Sequence, residues 1–363
     1  MKNRIKKIFR LTEKKIDTII IKNSVFPYID KNFFYTTGLE NGIFEEATAI
    51  LYTDGKIDLI ISELEAETAK KADADITIYK SIEERNNILK EMLSPIKNIG
   101  INSRHISYMD YQKLKKLCPN SKFIDISDSF VKARLVKDTL EIQAIKKSCK
   151  IADQVMEKIP NMLCDGIHEY EVAAEIDYLL QKNGADKPAF DTISSFGKNT
   201  AEPHYSHGNT KLKKGDLVLL DFGACFKRYN SDITRTFVFG KIDKKQKEMH
   251  ETVLTAQKIG FETIKPGIKA GEIHRVVSSY INNTKFKGCF THSTGHSLGL
   301  EVHDGPGFSP ESNIELKENM VLTVEPGVYI PGFGGIRIED DILIVKNGIE
   351  LLTNTTRELL EVM

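Results

Sequence analysis

Leu212-Lys213-Lys214-Gly215-Asp216-Leu217-Val218-Leu219-Leu220-Asp221-Phe222-Gly223 returns later in the chain as Leu316-Lys317-Glu318-Asn319-Met320-Val321-Leu322-Thr323-Val324-Glu325-Pro326-Gly327. The offset is a constant 104 positions (316 − 212; 325 − 221). Each copy is a polar turn, an apolar run of strand length, a carboxylate and then X-Gly. Ahead of each copy stands a Gly-Ile at a helix entrance, Gly166-Ile167 and Gly267-Ile268. After each comes a further strand with a carboxylate, Asp232 in the first copy and Glu339 in the second. A period of about a hundred residues is too long for a solenoid unit. It predicts a duplicated half-domain with a pseudo-twofold site between two sheets.

The flanking sequence supplies the helices. Asp138-Thr139-Leu140-Glu141 is a capping box, and Ile142, Ile145, Cys149, Ala152, Met156 and Ile159 follow at helical spacing. A second helix is predicted over His168–Lys182, with Asn183-Gly184 as its left-handed stop. A candidate linker covers 127–137. The residues before it alternate between helical and strand patterns. Arg4–Lys15 reads as a helix and Thr18-Ile19-Ile20-Ile21 as a buried strand. Phe34-Tyr35-Thr36-Thr37-Gly38 reads as an extended stretch ending in a turn. Ala47–Tyr52 and Ile57–Ser62 flank Asp54-Gly55, a hairpin signal because both residues tolerate positive φ. The chain thus divides into an α/β domain over 1–126 and a larger α+β domain over 138–363. The first has no clustered His, Cys or carboxylate pattern and reads as a supporting domain.

The totals narrow the function classes. The 363 residues suit two domains, and 40% hydrophobic with 28% charged residues is ordinary for a globular protein. Lys plus Arg equals Asp plus Glu at 51 each, which argues against nucleic acid as the main partner. The five cysteines are odd in number and none has CxxC spacing, so neither a disulfide framework nor a structural zinc site is expected. The basic residues near Met1 are followed by no long apolar stretch, and no run reaches membrane-spanning length. The expected location is the cytoplasm.

Four carboxylates at strand positions are costly to bury alone. Each has a plain reading by itself: Asp221 as a turn cap, Asp232 as an ion-pair partner of Arg235, Glu325 and Glu339 as solvated strand residues. The repeat makes one shared site the simpler account. Carboxylate oxygens with one imidazole suit Mn²⁺ or Co²⁺, and carboxylates can bridge two ions. Five of the nine histidines fall in two places, His204 and His207 in one, His292, His296 and His303 in the other. The second group stands among small residues and glycines, which let backbone approach a site closely. His168, His250 and His274 lie in helical patterns and read as surface residues.

Asp221-Phe222-Gly223, Ser231-Asp232-Ile233-Thr234-Arg235-Thr236, Thr294-Gly295-His296 through Val302-His303-Asp304, Thr323-Val324-Glu325-Pro326-Gly327 and Arg337-Ile338-Glu339-Asp340-Asp341 together resemble the pita-bread metallopeptidases. Within that family the chain is most similar to the Xaa-Pro peptidases, aminopeptidase P and prolidase. The first half resembles the creatinase-type N-terminal domain, Tyr35-Thr36-Thr37-Gly38 included. The resemblance implies a C-terminal pita-bread fold and two divalent metal ions, Mn²⁺ first, with Co²⁺ or Zn²⁺ as alternatives. It implies that Asp221 chelates one ion, Asp232 and Glu339 bridge both, and His296 and Glu325 hold the other. A water between them would attack the scissile carbonyl, with Glu325 as general base. His303 and His204 match histidines that contact the substrate and steady the intermediate, and His292 a third at the substrate site. Arg337 is expected to orient a ligand carboxylate. Phe190 and Ile193 match positions lining an apolar substrate pocket, and both read equally as core. Short peptides are the implied substrates and a homodimer the implied assembly.

One departure bears on specificity. Many prolidases carry an arginine four residues after the position of His303, placed to hold a dipeptide's carboxylate. Here that position is Gly307. The expectation therefore favours an Xaa-Pro aminopeptidase over an Xaa-Pro dipeptidase. Methionine aminopeptidase usually lacks so large an N-terminal domain, creatinase lacks the five ligands, and a binding scaffold on this fold would be marked by lost ligands.

Overall fold

The computed structural model describes residues 1–363 and divides into two compact units, Met1–Arg134 and Leu135–Met363. In the first, six strands form one mixed sheet in the order Asp75–Tyr79, Ile57–Ser62, Thr48–Tyr52, Thr18–Lys22, Asn98–Ile101, Lys122–Asp125. Thr18–Lys22 is buried at every position. It pairs antiparallel with Thr48–Tyr52 on one side and parallel with Asn98–Ile101 on the other. That double flanking explains its unbroken apolar run. The Asp54-Gly55 hairpin forms with Gly55 at φ 92°.

Two expectations for this region fail. Phe34–Gly38 is not extended: Lys31–Thr37 is a helix, capped by the Asp30 side chain on the Asn32 N–H and stopped by Gly38 at φ 73°. Phe33, Phe34 and Tyr35 are buried there, so packing overrides the strand preference of aromatic and β-branched residues. The stretch 127–137 is no open linker, because Ser127–Leu135 is helical.

The second unit carries the duplication. Helices Thr139–Met156 and Glu169–Lys182 precede strand Leu217–Phe222, which pairs antiparallel with Ile233–Phe239. Helices Lys244–Thr263 and Ala270–Asn282 precede strand Val321–Val324, which pairs antiparallel with Asp340–Val345. The Gly-Ile entrances do the same work in both halves. The Gly166 N–H donates to Leu212 O and the Gly267 N–H to Leu316 O, both at 2.9 Å. Leu212 N–H returns to Ile167 O at 2.9 Å, and Leu316 N–H to Ile268 O at 2.8 Å. Each strand is thereby hung on the entrance of its helix. The capping box at Asp138 and Glu141 forms as expected.

Apolar faces close over each half. Ile151, Val155, Ile176 and Leu180 pack with Val218, Leu220 and Phe222 in the first half. Ile273 and Phe308 pack with Leu322, Val324 and Ile342 in the second. Each such fully buried side chain contributes roughly 1.5–3 kcal/mol. The strands leave one side chain apiece, Asp221 and then Glu325, at the end where the apolar run stops.

Candidate metal centre

Asp221 is the last residue but one of strand Leu217–Phe222. Asp232 and Glu339 do not lie within strands: each sits immediately ahead of one, Ile233–Phe239 and Asp340–Val345. The two halves are stitched together at these points. The Glu339 N–H donates to Thr234 O at 3.1 Å, and the Thr234 hydroxyl donates to Glu339 Oε2 at 2.6 Å. The Asp232 N–H donates to Asp341 Oδ2 at 2.8 Å. Arg235 turns away from Asp232 and pairs with Asp340 at 2.7 Å, while its guanidinium also donates to Glu339 O.

His296 completes the group. Its Nε2 lies 3.5 Å from Asp232 Oδ2 and 3.7 Å from Glu325 Oε1. A single ligand atom each from Asp232, His296 and Glu339 falls within 4.8 Å of the others. His296 Nδ1 faces Ser297 O at 3.3 Å, which requires the Nδ1–H tautomer. Burial holds this imidazole down to about 3, so it is neutral and turns a lone pair toward two carboxylates. Lone pair against anion is repulsive unless a cation lies between them.

The carboxylates make the same point. Asp221 Oδ1 and Asp232 Oδ1 are buried without a hydrogen-bond partner. Burial, with Glu339 next in effect, pushes Asp232 well above the usual carboxylate range. Burial and Glu325 do the same to Glu339. Burial pushes Glu325 up to about 8, against the opposing pull of Arg337. Four carboxylates here face one guanidinium, that of Arg337, which is ion-paired with Asp221. Hard oxygen donors with one imidazole, and orphaned oxygens aimed inward, fit divalent cations.

Around this group is a cavity lined by all the predicted positions: Phe190, Ile193, His204, Asp221, Asp232, His292, His296, His303, Glu325, Arg337 and Glu339. The His303 ring lies 4.3 Å from that of His296, centroid to centroid. His292 is more constrained than its sequence suggests. Its Nδ1 lies 2.8 Å from Ser293 O and its Nε2 2.8 Å from the Tyr329 hydroxyl. Tyr329 also accepts from Arg337 at 2.8 Å. His207 is not on the cavity wall, and its Nδ1 meets Thr192 O at 3.0 Å. None of the three histidines in helical patterns is fully exposed, and His168 caps its helix from the position ahead of it. His250 is 5% exposed and bonded to Arg357 O at 2.7 Å. His274 is half-buried and meets the Thr294 hydroxyl at 3.1 Å.

Sequence reasoning missed Tyr329 and gave no role to Thr234 or Asp341 within the segments it quoted; all three hold the site from behind. Tyr329 and Thr234 carry no signal beyond strand propensity. Asp341 had one: a second acid beside Asp340 in an otherwise apolar run.

Residues 143–346 match Metallopeptidase family M24, and residues 4–136 match the Creatinase/Prolidase N-terminal domain. The chain belongs to metallopeptidase family M24. This M24 peptidase is 40% identical over 365 residues to the Xaa-Pro dipeptidase of Pyrococcus horikoshii, covering 99% of both chains. The crystal structure of the prolidase from Pyrococcus horikoshii OT3 superposes with a TM-score of 0.90 at 38% identity, over 98% of this chain and 99% of that one. The X-Pro aminopeptidase from Thermotoga maritima MSB8 gives a TM-score of 0.91 at 31% identity, over 98% and 99%. The pita-bread fold with its creatinase-type N-terminal domain follows, and so does a requirement for divalent metal ions. No helix of the M24 peptidase is long and apolar enough to cross a membrane.

Proposed function

We propose that the chain hydrolyses the bond between an N-terminal residue and a following proline, with Xaa-Pro dipeptides as its main substrates. The observation that carries this choice is the 40% identity, end to end, to an Xaa-Pro dipeptidase. It reverses the sequence-based preference for an Xaa-Pro aminopeptidase, which rested on the glycine at 307. The fold gives that glycine another cause. A Cβ at Gly307 meets Gly295 O and His296 Cα, both at 2.3 Å. No side chain fits there on this backbone, so the missing arginine says little about substrate length. The aminopeptidase reading stays as the second one, supported by the Thermotoga maritima likeness.

In this reading Asp221, Asp232, His296, Glu325 and Glu339 hold two divalent ions, with Mn²⁺ the proposed metal. Bound there, the ions lower the pKa of a water and stabilise negative charge on the substrate oxygen. Glu325 accepts the proton of the attacking water. His303 and His204 donate to the carbonyl oxygen as it becomes tetrahedral. Arg337 holds Asp221 in place, and Phe190 and Ile193 take the apolar parts of the peptide. His292, with both ring nitrogens engaged, presents its ring to the substrate. The division of the chain at 1–126 and 138–363, a homodimer and a cytoplasmic setting complete the proposal on family resemblance.

The test is to strip the protein of metal, restore Mn²⁺ and compare Ala-Pro with Ala-Pro-Ala-Ala. Rapid cleavage of Ala-Pro with slow or no release of alanine from the tetrapeptide is the expected result. Preferential cleavage of the tetrapeptide reverses the assignment to an aminopeptidase. Cleavage of neither while metal is bound removes the proline reading.

A further inference from the structure

The helix Glu169–Lys182 begins with a carboxylate that is 0% exposed. Its partners come from a single loop. Oε1 accepts from the Phe196 N–H at 2.9 Å and from Asn199 Nδ2 at 2.9 Å. Oε2 accepts from the Tyr205 hydroxyl at 2.9 Å and from the Gly208 N–H at 3.0 Å. Between those anchor points lie Pro203, His204, Tyr205 and Ser206, all on the cavity wall. The other edge of the loop is held by the Gly335 N–H on the Thr200 hydroxyl at 2.7 Å.

The duplication shows that this anchor belongs to one half alone. The bridge His168–Lys211 in the first half answers to Lys269–Glu315 in the second. Glu169 therefore corresponds to Ala270, whose side chain has nothing to offer a loop. In the second half the helix holds its loop one turn later, through His274 on Thr294.

We propose that Glu169 is a positioning residue for the peptidase reaction: it fixes the loop 196–208, and with it His204 and Tyr205, in the form that receives the peptide. Glu169 touches neither metal ligand nor substrate, and it acts only through the loop. The proposal rests on the peptidase reading of the cavity.

The variant that tests it is Glu169→Gln. Each carboxylate oxygen holds one backbone N–H, from Phe196 on one side and Gly208 on the other. Whichever way a glutamine amide turns, its NH₂ group faces a backbone N–H, so one anchor point is lost with the shape of the side chain kept. Two measurements on the Mn²⁺-loaded protein are decisive. Amide exchange in 196–208 should quicken at least about tenfold while exchange elsewhere and the metal count stay unchanged. KM for Ala-Pro should rise about tenfold, with a smaller fall in kcat, as loose placement of substrate-binding groups predicts. Asn199→Ala removes one donor from the loop side and should shift both readings the same way by less. It also serves if Glu169→Gln does not fold. Unchanged exchange and KM in either folded variant overturns the proposal. So does exchange that quickens throughout the second unit, since Glu169 would then be an ordinary core residue. If wild-type protein cleaves no Xaa-Pro peptide, the Xaa-Pro reading fails, and the exchange data still decide whether Glu169 holds the loop.

Discussion

Each unit of the chain buries a cluster of charge, and the two clusters differ in sign balance. In the first unit Lys22 and Arg85 are buried beside Glu46, with Lys22 Nζ 2.9 Å from Glu46 Oε2 and Arg85 paired to the same oxygen. Asp110, 2% exposed, adds a second negative charge, held by Ser107 at 2.6 Å and Lys113 at 3.5 Å. Cations and anions match there. In the second unit Asp221, Asp232, Glu325 and Glu339 gather around Arg337 alone, and the two buried histidines contribute no charge. A balanced cluster needs no ligand charge, even though the Arg85 Nε is left without a partner. An unbalanced one, with orphaned oxygens pointing inward, is a receptor for cations.

The largest test of that contrast removes a ligand. Asp232→Ala or Glu339→Ala should lose bound metal and lower turnover at least about 10³-fold, measured by metal analysis and Ala-Pro cleavage on the same sample. A variant that keeps full turnover breaks the assignment of a shared bridging position. Next comes His303→Ala, which should keep its metal count and lose about 10²-fold in kcat, the scale of a lost hydrogen bond to developing charge. Loss of metal in that variant would move His303 among the ligands.

The balanced cluster should respond in stability only. Glu46 is part-exposed, so Glu46→Ala should cost about 2 kcal/mol, below the range for severing a fully buried pair. Urea denaturation followed by amide exchange within Met1–Arg134 reads this, and metal binding should not change. A fall in metal content would mean that this cluster is not merely structural.

How much of this was legible in the sequence follows the physics of each element. The duplication, the Asp138 capping box and the acids Asp221 and Glu325 could be read, because strand runs, Gly-Ile entrances and acids after apolar runs are local patterns, whereas His204, His292, His303, Arg337, Phe190 and Ile193 were named only through the family resemblance. The helix Lys31–Thr37 could not, since its cause is burial of Phe33, Phe34 and Tyr35 rather than propensity. Nor could His250, buried on a carbonyl 107 residues away. Glu169 falls in the same class: its four partners lie 27 to 39 positions ahead, and its neighbours give no hint of them. The other cause of Gly307 was hidden for a related reason, because the contact that forbids a side chain there comes from Gly295 and His296.

The smallest effect is also the most direct reading of charge imbalance, because it needs no mutation. In metal-free protein Glu325 is pushed up to about 8 from an ordinary 4.5, and Asp232 and Glu339 are raised as well. The folded state then binds more protons than the unfolded one between pH 4.5 and 8, so its stability rises as pH falls through that window. The histidines act oppositely but lower down. Burial holds His292 and His296 to about 3 against an ordinary 6.5 and lowers His250, His274 and His303 as well, so all of them cost stability once pH falls far enough for the unfolded chain's imidazoles to take up protons. Between about pH 8 and 7.5, above the range in which unfolded histidines take up protons, the carboxylates dominate and metal-free protein should gain stability on acidification, read from urea midpoints. With Mn²⁺ bound the slope should reverse, because protons compete with the metal for the same oxygens. Metal-free protein that weakens on the same acidification would mean that the carboxylates ionise together without a cation, and the contrast between the two clusters would lose its physical basis.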